Sequence, residues 1–175
     1  MTFQPWTLLS EKVIFKGYRE IVQRRFRFPD GAEADFDIRM DGQAVAVLAF
    51  TLERQAILVR QFRPGPLEVM LDIPGGALED GEVPAEAAAR ELLEETGYRG
   101  EVQFVGFTRE NPYTTLLRHN FVAVNCKKVA EQELDPNERI EVVLLGLDDL
   151  RKHLRSGGLC DVESGYLGLD HLGWL

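Results

Sequence analysis

The sequence predicts one α/β domain that is preceded by a β-rich arm at its N-terminus. Residues 12–40 alternate between apolar and polar side chains in strand fashion, and residues 44–50 and 56–61 form apolar runs typical of core strands. Residues 84–96 have helical spacing and follow a glycine-rich turn. A chain of 175 residues suits a single domain with a full core.

The arm is expected to contain a β-hairpin. Arg25–Phe28 and Asp35–Met40 alternate on either side of Pro29-Asp30-Gly31, and an Asp-Gly pair between alternating runs indicates a tight turn. We place the arm at residues 1–42 and the main domain at residues 43–175. Because a two-stranded hairpin is marginally stable alone, the arm needs a partner surface, which is either a second copy of the chain or the arm's own domain.

The main domain opens with two core strands, Ala44–Phe50 and Ala56–Gln61. Arg63-Pro64-Gly65-Pro66 then breaks the strand pattern and predicts a loop. A short strand over Val69–Ile73 leads into the turn Pro74-Gly75-Gly76. The glycine-rich turn is therefore expected directly after the end of a strand.

The segment Pro84–Thr96 is expected to form a helix. Pro84 suits the first helical position, where its missing N–H costs nothing, and Gly97 is suited to end the helix. Val83 is then the N-cap, which costs about 1 kcal/mol relative to Ser, Thr or Asp. Helical spacing assigns the core-facing stripe to four residues, Ala85, Ala88, Ala89 and Leu92. Glu91 and Glu95 are then expected at the boundary between core and solvent.

The rest of the chain predicts three strands and two shorter helices. The strands are Val102–Thr108, Asn120–Val124 and Arg139–Leu147. A helix over Asp148–Arg155 would begin with Asp148 as its N-cap and end at Gly157-Gly158. The apolar tail is compatible with a final helix, which Gly168 and Gly173 weaken.

Composition argues against several classes of protein. The formal net charge of -9 argues against a surface that binds nucleic acid by electrostatics. No apolar run approaches the ~18 residues of a membrane helix, and the N-terminus has neither the basic start nor the apolar stretch of a signal peptide. We therefore expect a cytoplasmic protein that binds no membrane, in which Cys126 and Cys160 are reduced.

Three glutamates, Glu91, Glu94 and Glu95, fall within five residues of the predicted helix. Residues i, i+3 and i+4 share one side of a helix, so their carboxylates are neighbours. Like charges this close repel each other by a few tenths of a kcal/mol per pair. A hard divalent cation removes that repulsion, because carboxylate oxygens are the ligands that Mg²⁺ prefers. The spacing therefore predicts a cation site.

The surrounding residues resemble the signature of the Nudix hydrolases, Gly-x5-Glu-x7-Arg-Glu-aliphatic-x-Glu-Glu-x-Gly-aliphatic. Gly76 and Glu82 have the required spacing to the run Arg90–Tyr98, and Tyr98 is the one loose match, since an aliphatic residue is expected there. The resemblance implies a mixed sheet sandwiched between helices (α/β/α). It also implies that the arm resembles the extra segment of the ADP-ribose pyrophosphatase branch, which helps to form a homodimer.

The resemblance assigns roles to the residues of the signature. Glu91 and Glu95 are the first choices as ligands of Mg²⁺, with Mn²⁺ as the alternative metal, and Glu94 is a further ligand. The backbone carbonyl of Gly75 is expected to contact the metal as well. Arg90 belongs to the catalytic set because it orients a glutamate. Glu82 and Gly76 are expected to support the metal ligands without binding the metal themselves, although a solvated turn residue is the simpler interpretation of Glu82.

Substrate contacts are expected from residues outside the signature. Arg63 lies where ADP-ribose pyrophosphatases carry a phosphate-binding arginine, and Arg60 lies near it in the sequence. A surface ion pair is the alternative role for Arg63. Pro112 lies close to where that branch carries a proline, and Tyr113 is a candidate to stack on a base, with core packing as its alternative.

The residue that activates water is left open between three carboxylates. In the ADP-ribose pyrophosphatase branch a loop glutamate acts as the base or binds metal, but the matching position here holds Pro136. Glu138 lies two residues later and Glu133 lies earlier in the same loop, and Glu94 is the third candidate. Loop carboxylates are often only solvated, so the loop alone does not decide between them.

The resemblance implies Mg²⁺-dependent hydrolysis of the pyrophosphate bond in a small-molecule nucleoside diphosphate linked to another group, such as ADP-ribose or a nucleotide sugar. The products would be a nucleoside monophosphate and a sugar phosphate. Hydrolysis of nucleoside triphosphates or coenzyme A is the alternative within the enzymes. A non-catalytic domain that senses nucleotides is the alternative of another class.

Overall fold

The computed structural model of the protein describes residues 4–175, so residues 1–3 of the predicted arm lie outside the description. The described chain divides into two compact units. The first consists of Met1–Gly42 with Arg109–Leu117, and the second of Gln43–Thr108 with Arg118–Leu175. Each unit is described separately below.

The first unit contains a three-stranded antiparallel sheet. Its strands are β1 (Thr7–Lys16), β2 (Glu20–Arg27) and β3 (Glu33–Met40), in the order β1-β2-β3. The predicted hairpin is the β2–β3 pair, in which Arg27 faces Glu33 across the turn. The added strand β1 extends the sheet beyond the two strands that the hairpin signal predicts, and the first half of β1 precedes the alternating segment.

The second unit is a six-stranded sheet with helices on both faces. Five of its strands, in chain order, are β4 (Gln43–Thr51), β5 (Ala56–Arg63), β6 (Glu68–Asp72), β7 (Tyr98–Thr108) and β8 (Leu117–Lys128). They are ordered β6-β5-β4-β8-β7, and the last strand, β9 (Glu141–Leu145), pairs with β5. β9 is shorter than the predicted strand over residues 139–147, whereas β8 is longer than the predicted 120–124.

Strand β4 shows why the unit has three layers. Successive side chains of a strand point to opposite faces of its sheet. Leu48 and Phe50 belong to one core cluster, whereas Val47 and Ala49 belong to another. The first cluster includes Leu150, Leu154 and Leu169 of the C-terminal helices, and the second includes Ala87, Ala88 and Leu92 of the central helix. The predicted sheet sandwiched between helices is therefore confirmed.

Helix α1 spans Pro84–Thr96, as the sequence predicts. Val83 occupies the N-cap without a side-chain hydrogen bond, and Gly97 ends the helix at φ 74° while its N–H donates to the carbonyl of Leu93. The predicted core stripe is partly wrong, since Ala85 and Ala89 are exposed. The buried residues of the helix are Ala87, Ala88, Glu91, Leu92, Glu95 and Thr96. The helix is thus rotated so that two carboxylates face inward, which helical periodicity of apolar residues does not anticipate.

Two helices follow β9. Helix α2 spans Leu147–Ser156 and its N-cap is Gly146, so Asp148 lies inside the first turn and the prediction of Asp148 as N-cap is wrong. Helix α3 spans Val162–His171. Gly168 lies inside this helix, and a Cβ at this position would clash with Leu48. The residue that weakens the helix locally therefore allows it to approach the sheet closely.

No helix within residues 4–175 is long and apolar enough to cross a membrane.

Candidate active site

The turn after β6 and helix α1 fit together at two glycines. The N–H of Gly75 donates to Oε2 of Glu95 over 2.9 Å. A Cβ on Gly75 would clash with the carbonyl oxygen of Val45, and a Cβ on Gly76 would clash with the carboxylate of Glu91. A side chain at Gly75 is therefore excluded by the backbone of β4, whereas a side chain at Gly76 would displace the Glu91 carboxylate.

The three helix glutamates differ in burial and in partners. Glu95 and Glu91 are only 4% and 9% exposed, whereas the side chain of Glu94 is 38% exposed. Nη1 of Arg90 donates to Oε1 of Glu91 over 3.0 Å and to Oε2 of Glu94 over 2.9 Å. One guanidinium nitrogen therefore joins two of the three carboxylates that the sequence predicts as metal ligands.

Glu82 fixes the other edge of the same guanidinium. Nε of Arg90 donates to Oε1 of Glu82 over 2.9 Å, and Nη2 donates to Oε2 over 3.0 Å. Oε2 of Glu82 also accepts from the N–H of Glu79. The hydrogen bond with Glu82 is the largest of the causes that raise the pKa of Arg90. Glu82 is thus placed to orient Arg90 and is not merely a solvated turn residue.

A cavity of about 330 Å³ opens beside the helix glutamates. Its walls are formed by Glu79, Arg90, Glu91, Glu94, Glu95, Glu133, Leu134, Asp135 and Glu138. Apart from Arg90 and Leu134, every one of these residues carries a carboxylate. An excess of negative charge in a partly enclosed space is unfavourable unless cations enter it.

The crowding of negative charge affects the pKa values of the two buried glutamates, Glu91 and Glu95. Burial raises the pKa of Glu95 to about 8, and the negative charges of Glu91 and Glu138 act in the same direction, whereas the Gly75 N–H and the charge of Arg63 oppose the shift. Burial also raises the pKa of Glu91, against the charge of Arg90. A bound cation would reverse these shifts, because it favours the ionised carboxylate.

The donor set fits a hard divalent cation, although the ligands are not preassembled. Among residues 4–175, no three His, Cys, Asp or Glu side chains are already arranged to hold a metal ion. Oε1 of Glu91 and Oε2 of Glu94 accept hydrogen bonds from Arg90, and Oε2 of Glu95 accepts one from the Gly75 N–H. The role of the Gly75 carbonyl as a further ligand stays a prediction.

The loop between β8 and β9 brings Glu133 and Glu138 to the cavity. The N–H of Glu133 donates to the carbonyl of Glu94 over 2.9 Å. Nε2 of Gln132 donates to the carbonyls of Glu95 and Ile140, over 2.6 and 3.2 Å. The loop therefore satisfies carbonyls at the C-terminal end of α1, which have no partners within the helix.

Sequence reasoning missed Gln132. The only signal for it was the general rule that the last carbonyls of a helix need donors. That rule names no residue, and Gln132 is separated from Glu95 by 37 positions in the chain.

Glu138 is also held in a local turn. Its N–H donates to the carbonyl of Asp135, and one of its carboxylate oxygens accepts from the Asp135 N–H over 3.0 Å. Besides burial, the negative charge of Glu138 raises the pKa of both Glu91 and Glu95. The carboxylate of Glu138 therefore lies close enough to interact electrostatically with both buried glutamates.

The two candidate phosphate-binding arginines lie in different settings. Nε of Arg63 donates to Oδ2 of Asp72 over 2.5 Å, and the Arg63 side chain is 34% exposed. Nη1 of Arg60 donates to Glu141 over 2.8 Å in an exposed pair. The positive charge of Arg63 lowers the pKa of Glu95, so Arg63 lies within electrostatic reach of that buried carboxylate.

Pro112 and Tyr113 belong to the first unit. The N–H of Tyr113 donates to Oδ1 of Asn111, and the Tyr113 carbonyl accepts from the N–H of Arg39. The Tyr113 ring stacks on Phe36 at a centroid distance of 6.4 Å and remains 55% exposed. Tyr113 is therefore not packed in the core. Contact of Pro112 or Tyr113 with a substrate stays a prediction.

Comparison with known proteins agrees with this geometry. A family model described as the NUDIX domain matches residues 40–158. The chain is 34% identical to an ADP-ribose pyrophosphatase of Bacillus subtilis (strain 168) over 164 residues, which cover 91% of this chain and 88% of that protein. It is 29% identical to a methanol dehydrogenase activator of Bacillus methanolicus over 165 residues, which cover 93% and 89%.

A solved crystal structure described as an ADP compounds hydrolase has the same fold. The TM-score is 0.84, the two chains are 20% identical, and each is covered completely. At this level of identity the likeness concerns the fold alone.

The raised pKa of Glu95 predicts a dependence of stability on pH in metal-free protein. The folded pKa of about 8 lies above the ordinary value of 4.5. Protonated Glu95 therefore contributes stability that is complete below pH 4.5 and is lost as the pH rises through about 8. Urea unfolding in EDTA should show a lower unfolding free energy at about pH 9 than at about pH 5. The difference should be smaller in Glu95→Gln, which does not titrate.

Mg²⁺ provides the complementary measurement. If Glu95 is a metal ligand, Mg²⁺ must displace its proton, so the rise in melting temperature on adding Mg²⁺ should be larger at about pH 9 than at about pH 6. In Glu95→Gln the rise should be small at both pH values. An equal Mg²⁺-induced rise in wild type at both pH values would contradict this assignment.

Proposed function

Because the chain belongs to the Nudix family, we propose that it hydrolyses the pyrophosphate bond of a nucleoside diphosphate linked to a sugar, with ADP-ribose as the preferred substrate. The observation that carries the proposal is the carboxylate-lined cavity against which Glu91 and Glu95 are buried. The name of the Bacillus subtilis relative, which aligns over most of both chains, supports ADP-ribose. The products are a nucleoside monophosphate and a sugar phosphate.

Glu91, Glu94 and Glu95 are proposed to hold Mg²⁺, with Mn²⁺ as the alternative. When bound there, the cation neutralises the diphosphate and stabilises negative charge that develops during hydrolysis. The bidentate contact with Glu82 keeps Arg90 in place when a cation competes for Glu91 and Glu94. Arg90 then orients the liganding carboxylates without contacting the substrate.

Glu138 is our choice for the residue that orients and deprotonates the attacking water. It lines the cavity, and its charge acts on both buried glutamates. Glu94 is the weaker candidate because Arg90 holds its carboxylate. Glu133 also lines the cavity and remains the alternative base in the same loop. The residue at the position of the branch's usual base is Pro136, so Glu138 takes over that role from two positions later.

Arg63 is proposed to bind a phosphate of the substrate. Its hydrogen bond to Asp72 uses Nε, so the two terminal nitrogens remain for a bidentate contact with phosphate oxygens. Its distance from the buried glutamates is short enough to influence the pKa of Glu95. Arg60, Pro112 and Tyr113 remain weaker candidates for contacts with the rest of the substrate.

We also propose that the chain forms a homodimer through its first unit. Strand β1 exposes a run of large apolar side chains, which comprises Leu8, Leu9, Val13, Ile14 and Phe15. Exposed apolar surface of this kind marks an interaction site, and a strand at the edge of a sheet also offers unpaired backbone groups.

Turnover measurements test the main proposal. With Mg²⁺, ADP-ribose should be cleaved faster than nucleotide sugars, nucleoside triphosphates or coenzyme A. Glu91→Gln and Glu95→Gln should each lower kcat by ~10²-fold or more while the far-UV circular dichroism spectrum is unchanged. Near-normal turnover in both variants would sink the metal assignment. Binding of ADP-ribose to wild type without turnover would favour a nucleotide sensor.

The choice of base is tested by a matched pair of variants in one loop. Glu138→Gln should lower kcat by about 10²-fold or more and leave KM nearly unchanged, because a base acts on water and not on substrate binding. Glu133→Gln should retain kcat within about threefold. The reverse pattern would move the role to Glu133, and normal turnover in both would leave Glu94 as the base.

The homodimer is tested by light scattering coupled to gel filtration. Wild type should have twice the mass of the 19.8 kDa chain. Phe15→Asp places a charge in the exposed apolar run and should shift the mass toward the monomer. Tyr18→Asp, at a nearby position that is 97% exposed and outside β1, is the control and should remain dimeric. A monomeric wild type would refute the proposal.

A further inference from the structure

Asp72 is a buried carboxylate with two partners from different parts of the second unit. It ends strand β6 directly before the turn that carries Gly75, and it is 0% exposed. Oδ2 accepts from Nε of Arg63 over 2.5 Å, and Oδ1 accepts from the N–H of Cys160 over 3.0 Å. Both oxygens of the carboxylate are therefore engaged.

The pair with Arg63 is a partly buried one. A carboxylate removed from water requires a charged or hydrogen-bonding partner. Burial works against the charge of Arg63, but the hydrogen bond and the charge of Asp72 outweigh it and raise the pKa of Arg63. The contact fixes the plane of the guanidinium through Nε and leaves Nη1 and Nη2 to a ligand.

The contact with Cys160 connects Arg63 to the C-terminal helices. Cys160 lies in the short segment between α2 and α3, and the next residue, Asp161, is paired with Nη2 of Arg118 over 2.9 Å. The Arg118 side chain is only 11% exposed. The segment is thus held by Asp72 on one side and by Arg118 on the other.

We propose that Asp72 is a positioning residue for substrate binding, which holds the guanidinium of Arg63 toward the diphosphate and ties it to the segment between α2 and α3. The inference rests on the proposed function, since it takes Arg63 as the phosphate ligand. Orienting a bidentate donor in advance lowers the entropy lost when the diphosphate binds. The C-terminal helices thereby contribute to substrate binding without touching the substrate.

The test is a double-mutant cycle. Asp72→Asn keeps an acceptor for the Cys160 N–H but removes the charge that holds Arg63. It should raise KM for ADP-ribose about tenfold and leave kcat within about threefold. Arg63→Ala should raise KM at least as much. When Arg63 is already alanine, Asp72→Asn should change KM by less than about twofold, because the two residues then act as one unit.

Asp148→Asn is the matched control. Asp148 forms an Asp–Arg pair with Arg151 over 2.8 Å, but the Asp148 side chain is 84% exposed. This variant should leave KM unchanged. If Asp72→Asn does not fold, Asp72→Glu keeps the charge and displaces it by one methylene. It should raise KM severalfold in wild type and not in Arg63→Ala.

Two results would overturn the role of Asp72. One is an equal rise of KM in the wild-type and Arg63→Ala backgrounds, and the other is a lower melting temperature with unchanged KM. Failure of the proposed function is visible separately, as absence of turnover in wild type. In that case binding of α,β-methylene ADP-ribose, measured by calorimetry, replaces KM in the same cycle. Equal weakening in both backgrounds would again overturn the proposal.

Discussion

The close fit between helix α1 and the glycine turn is the constraint on which the site depends. Glu95 accepts a hydrogen bond from the Gly75 backbone, and Glu91 occupies the space that a side chain on Gly76 would fill. The apolar face of α1 presses the helix against the sheet, so packing energy is used to bury two carboxylates. The core packing that stabilises the second unit therefore also fixes the positions of the two buried carboxylates, whose burial is itself unfavourable.

In the absence of a cation, Arg90 partly offsets the repulsion between the carboxylates. Its guanidinium is held by Glu82 at one edge and reaches Glu91 and Glu94 at the other. One positive charge is nevertheless too little for a cavity that is walled almost entirely by carboxylates. The folded chain consequently retains an excess of negative charge at the cavity that favours cations, which the raised pKa of Glu95 also reflects.

The sequence predicted the features that are determined by residues close together in the chain. Helix α1 begins at Pro84 and is ended by Gly97, as predicted, because each residue acts through its own backbone geometry. The orientation of α1 was missed, since Ala85 and Ala89 are as apolar as the alanines that are buried, so apolar periodicity alone does not distinguish the two sides of the helix. The role of Gln132 and the pairing of Asp72 depend on contacts between residues far apart in the chain, which no local spacing encodes.

The charge balance also orders the events in the proposed reaction. A diphosphate that approaches this cavity is repelled by the carboxylates, and the single exposed edge of Arg63 does not compensate for them. Cations must therefore enter before or together with the substrate. In the proposed reaction, protonation of Glu95 would compete with that step, so a change of pH would act first on metal occupancy and only then on substrate binding. Asp72, which lies at the end of the strand that leads into the glycine turn, joins the two steps: one short stretch of backbone carries both the partner of Arg63 and the partner of Glu95.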